Sequence, residues 1–89
     1  MKFACGARVL VSDDYHWAGG ASGVVTAYPN FISDNCSGEL VDEATMAVPT
    51  VQGIAYQSWV TFDAPQRDSD GDGPYRAGMI DKSALASLH

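Results

Sequence analysis

The sequence predicts a single, mostly β domain of short antiparallel strands, and three observations carry that prediction. Nine glycines and four prolines in 89 residues break the chain too often for long helices and suit it to many turns. Two β-branched runs, Ala7 to Val11 and Val24 to Tyr28, are bounded by turn-forming residues. Between Val51 and Phe62, the side chains of Ile54, Tyr56, Val60 and Phe62 fall at alternate positions, the period of a strand with one buried face. A chain of this length makes one domain, residues 1–89. It can bury only about 60–65% of the surface it exposes when unfolded, so a single modest core is expected.

The first strand, Ala7-Arg8-Val9-Leu10-Val11, follows Gly6 and stops at Ser12-Asp13-Asp14. Tyr15 to Gly23 holds three glycines and reads as a long loop. Val24-Val25-Thr26-Ala27-Tyr28 is the second strand, closed by Pro29-Asn30. Residues 30–50 carry the weakest pattern. Ser37 can cap a short helix through Glu39 to Met46, with Leu40, Val41 and Ala44 on one face and Pro49 as its stop; an irregular loop with a short strand fits the same letters. The third strand runs from Val51 to Phe62, bent near Gly53. A polar loop spans Asp63 to Arg76. Ala77 to Asp81 is a last strand, and Leu85 and Leu88 on a final turn plug the core. The expected core is Val9, Val11, Val24, Ala27, Ile54, Val60, Phe62, Ile80 and Leu85.

These elements fall into a recognisable layout. Gly6-x-Arg8-Val9-x-Val11, Trp17-x-Gly19, Gly23-x-Val25 and Trp59-Val60-x-Phe62 together resemble SH3-like barrels, and Ile80 to Leu88 resembles their final strand and turn. The resemblance covers about two-thirds of the chain and omits the middle. It implies an antiparallel barrel of about five strands, here with a short helical or loop insertion between the second and third. That architecture hosts many unrelated functions. The pattern is also faintly similar to the plasmid-type (type II) dihydrofolate reductases, short barrels whose tetramer encloses one pore. Their Val-Gln-Ile-Tyr segment aligns with Gly78-Met79-Ile80-Asp81, so the glutamine and tyrosine that would hold folate and cofactor are absent.

Charge narrows the partners. Eleven acidic and five basic side chains give a formal charge of −6, which repels phosphate backbones and anionic membranes. No apolar run is long enough for a signal peptide or a membrane span, so a cytoplasmic setting is expected. There Cys5 and Cys36 are free thiols, Cys5 a small buried apolar group, unless their strands meet in a disulfide.

Asp68, Asp70 and Asp72, followed by Gly73, carry the sharpest local signal. With Gly71 among them they match the first half of a calcium loop, in which alternate carboxylates on a tight turn converge on one hard cation. The bidentate glutamate such a loop needs at its twelfth position is here Met79. A solvated acidic turn, offset by Arg67 and Arg76, is the simpler reading. The second candidate is aromatic: Tyr15, Trp17 and Tyr75 lie in two loops that SH3-like barrels bring close. With Asp13, Asp14, Asp70 and Asp72 nearby they suit a proline-rich peptide with basic residues, and equally they serve to roof a small core. The peptide-binding SH3 signature Ala-Leu-Tyr-x-Tyr is absent. His16 beside Asp13 and Asp14 reads as an exposed imidazole, and no residues form a nucleophile–base set.

The sequence therefore predicts a non-catalytic binding or assembly module. Val51, Trp59 and Met79 are left over from the core, which points to self-association or a protein partner. A calcium-binding domain using Asp68, Asp70 and Asp72 is the alternative. A small oligomeric enzyme or ligand-binding protein with its site between subunits is a third.

Overall fold

The computed structural model describes residues 3–34 and 38–88. Among them the chain forms one antiparallel sheet of seven strands: β1 (Arg8–Val11), β2 (Ser22–Val25), β3 (Glu39–Asp42), β4 (Thr45–Thr50), β5 (Gly53–Gln66), β6 (Tyr75–Asp81) and β7 (Leu85–Ser87). One helical turn, α1 (Asn30–Ser33), follows β2, and a 3-10 turn, Lys82–Ala84, precedes β7. The strand order is β3-β4-β5-β2-β1-β7, with β6 on the other side of β5. The strands β1, β2, β5 and β6 thus form a meander, which β7 extends by returning to β1. β5 is long enough to serve two ladders along one side, pairing with β4 through residues 53–58 and with β2 through residues 60–62.

Burial explains the meander. Val9 and Val11 on β1, Val25 on β2, Val60 on β5 and Ile80 on β6 are fully or almost fully buried. Phe62, Leu85, Ala18, Ala21 and Ala44 complete the same cluster. Each strand presents every second side chain inward, and the β-branched residues suit that pleated surface. Gly23 lets β2 approach β5: a Cβ there would stand 2.5 Å from the Thr61 carbonyl oxygen. The 3-10 turn is held by Asp81, whose carboxylate accepts from the Ser83 amide at 2.9 Å and the Ser83 hydroxyl at 2.8 Å.

Several expectations are corrected. Residues 39–46 are not helical. They form most of the β3–β4 hairpin, and the Asp42 carboxylate accepts from the Ala44 amide at 2.9 Å to close its turn. The helical spacing of Leu40, Val41 and Ala44 loses to six cross-strand pairs between β4 and β5. The helical turn that does form lies upstream, after Pro29. Val24 is only half buried, because β2 turns Gly23 and Val25 inward, and Ala27 is exposed because it lies beyond the end of β2. Ile54 is 63% exposed, since this end of β5 runs past the core-bearing strands as an arm with β3 and β4. Cys5 is exposed. Ser37 and Cys36, and with Cys36 the thiol pair, lie outside the described residues.

One surface tie links three strands. Arg8 holds Asp63 with two parallel hydrogen bonds of 2.7 Å, and the Ser22 hydroxyl donates to the same carboxylate at 2.6 Å. The Arg8 guanidinium first, then Ser22, lowers the Asp63 carboxyl to about 2. A carboxyl depressed in the folded state contributes stability above its unfolded value and loses it as pH falls through the folded one. Replacing Asp63→Asn is therefore expected to flatten the loss of melting temperature between about pH 4 and pH 2. Acid-range thermal melts of both proteins check this, and the exposed pair makes the effect small.

Candidate functional site

An open groove of about 460 Å³ runs along β6. Its walls are mainly apolar and aromatic: Trp17, Trp59, Tyr75 and Met79, with Ile32 and His16 also lining it. Asp68 and Ser69 bring the acidic loop to its rim. Among the described residues, Asp68 is the only formally charged one that lines it.

Trp17 is placed by packing. Its ring meets Phe62 edge-on at 5.4 Å between centroids and Tyr75 edge-on at 6.3 Å. It lies directly over Gly78, where a Cβ would overlap Cη2 and Cζ2 of the indole. Glycine is what lets the ring settle onto β6. Trp59 stands opposite Met79 in the β5–β6 ladder, so these two share a face. Gly78 pairs with Val60 and shows the other, core-side face. The groove thus straddles β6, with Trp17 on one side and Trp59 and Met79 on the other. Tyr28 packs on Trp59 at 5.3 Å and donates its hydroxyl to the Gln57 carbonyl at 2.8 Å, which steadies that side.

Of the three aromatic residues singled out from sequence, Trp17 and Tyr75 meet in this groove. Tyr15 does not line it. Its half-buried ring packs against the core, and its hydroxyl accepts from the Asp81 amide at 2.9 Å. Loss of solvent around the ring pushes the Tyr15 hydroxyl pKa up. Trp59 and Met79 were legible only as surplus apolar residues, because the register that pairs them is a long-range property.

Asp68, Asp70 and Asp72 do converge, offering carboxylate oxygens within 4.8 Å of one another. The Asp68 carboxylate already accepts from the amides of Asp70 at 3.0 Å and Asp72 at 2.9 Å. Arg67 donates to the carbonyls of Gly71 at 3.1 Å and Gly73 at 3.4 Å. That guanidinium offsets the charge of the loop and uses carbonyl oxygens of the kind that calcium recruits.

The thiol of Cys5 is pushed up by partial desolvation, then by the neighbouring Glu43 and Asp42 carboxylates, which disfavours the nucleophilic thiolate. His16 stacks on Tyr15 at 4.4 Å. Among the described residues no helix is long and apolar enough to cross a membrane. Comparison of the chain with protein families, curated proteins and solved structures finds no match.

Proposed function

We propose that the protein is a non-catalytic binding and assembly module on an SH3-like barrel, whose groove takes an apolar peptide carrying basic residues. The observation that carries this reading is the meeting of Trp17, Trp59, Tyr75 and Met79 in one groove, with Asp68 as the only charge among the described residues that line it. Aromatic faces attract cations, and an acidic rim on a chain of charge −6 draws basic partners. The meander with a 3-10 turn before its last strand supports the barrel assignment.

Tryptophan fluorescence tests the binding reading. An arginine–valine peptide or a proline-rich arginine peptide is expected to perturb the emission, with binding that weakens as salt rises. A glutamate–valine peptide is expected to leave it unchanged. Failure of both basic peptides sinks the reading.

Assembly has its own support. No charged residue or histidine occurs from Ala44 to Phe62, and the arm within that stretch exposes Val51 and Ile54. Two acidic copies can meet at the β4–β5 turn around Val51, which itself carries no charge; Glu39 of β3 lines a hollow beside it with Ala47, Pro49 and Ile54. Sedimentation of the full chain is expected to show dimers at about 100 µM that Val51→Asp reduces to monomers.

Calcium is the second reading, supported by the 4.8 Å convergence of the three aspartates. A rise in melting temperature with calcium that Asp70→Asn abolishes would favour it.

A further inference from the structure

The edge of β6 is open, because among the described residues this strand pairs with β5 alone. Along an antiparallel ladder, successive residues turn their N–H and C=O alternately toward and away from the neighbour. Two observations fix that phase here. Trp59 accepts from the Thr26 amide at 2.9 Å and donates to the Ala44 carbonyl at 3.2 Å, so both of its main-chain groups point away from β6. Met79, opposite it, therefore points both of its own away from β5. Two residues on, the Asp81 amide reaches outward to the Tyr15 hydroxyl at 2.9 Å, in the same phase. Ala77, two residues back, shares it. The main-chain groups of Ala77 and Met79 thus face the open edge, and both residues line the groove.

We propose that the occupant of this groove is an extended peptide segment that joins β6 as an added strand, hydrogen-bonded to the main chain of Ala77 and Met79. The inference rests on the groove reading above and adds the mode of binding. A strand in that position points successive side chains to opposite faces. One set meets Trp17 over Gly78, and the other meets Trp59 and Met79. Asp68 at the rim, with Asp70 and Asp72 beside it, selects a lysine or arginine among those side chains. A second copy is the poorer occupant. Its edge strand β3 begins at Glu39 and ends at Asp42, which would set acids against Asp68; β7 has only three residues; and its own β6, paired antiparallel about Gly78, would lay Asp81 opposite Tyr75, next to the acidic loop.

The test uses the full chain and three capped peptides. The first is acetyl-Val-Arg-Val-Thr-Val-Arg-Val-amide, the second the same sequence with alternate amides N-methylated, and the third acetyl-Arg-Pro-Pro-Val-Pro-Pro-Arg-amide. Amide exchange is read residue by residue by NMR. The first peptide is expected to bind and to slow exchange at Ala77 and Met79 by about tenfold or more, and N-methylation to weaken it by at least a similar factor. Ala77→Pro removes one outward N–H that the β5 ladder does not use, so it is expected to weaken binding about tenfold while melting within a few degrees of wild type. Binding without protection of Ala77 and Met79 overturns the added strand and leaves the groove reading standing. So does undiminished affinity of the N-methylated peptide, or tighter binding of the proline-rich one. Failure of all three peptides to bind overturns both.

Discussion

Phe62→Ala is expected to cost about 3–5 kcal/mol, as large-to-small changes at buried aromatics do. Phe62 is 7% exposed and closes the core cluster beside Val60 and Ile80. It also supports Trp17 edge-on at 5.4 Å, so truncation opens a cavity beneath the groove as well as inside the core cluster. A domain of this size holds only about 5–15 kcal/mol in total. Each kcal/mol moves the midpoint by roughly 4–8 °C, so the variant should melt at least about 12 °C below wild type. Calorimetry or a circular dichroism melt reads this directly. An unchanged midpoint would mean that Phe62 does not fill the core.

Gly78→Ala is expected to separate binding from folding. The added methyl cannot coexist with the Trp17 ring where it now lies. What it meets is the tip of a partly exposed side chain, which can swing away. The cost in stability should stay within about 1–3 kcal/mol, the usual range for overpacking. With Trp17 displaced, one wall of the groove is gone, and affinity for a basic peptide should fall at least about tenfold. Fluorescence titration beside a thermal melt tests both halves. Retained affinity with a displaced indole would remove Trp17 from the binding surface. Gly23→Ala makes the contrast, because its methyl would meet the Thr61 backbone and backbone cannot step aside.

The strands near both chain ends were legible from sequence because local pattern and tertiary role agree there. Val9, Val11, Val60, Phe62, Ile80 and Leu85 fall on alternating or bounded runs and are buried. In the middle, local pattern and partner disagree. Glu39 to Met46 spaces its apolar residues like a helix, yet β5 offers a ladder six pairs long to β4. Nothing in the local letters announces that ladder. Val24 and Val25 look alike to any local rule, and only the close approach at Gly23 decides which turns inward. The site follows the same division. Trp17 and the aspartates stand out by residue type in loops, and Tyr75 by residue type at the start of β6. Trp59, Met79 and the open edge of β6 depend on which residue faces which across two ladders.

The junction of the arm with the core-bearing strands carries a weakness of its own. Thr45 and Ser58 sit opposite each other in the β4–β5 ladder, both almost wholly buried, and neither hydroxyl has a hydrogen-bond partner among the described residues. Two buried hydroxyls without a protein partner bias this spot toward opening. Local opening is expected to begin at this shoulder, ahead of the strands that hold the Val9, Val25, Val60 and Ile80 core.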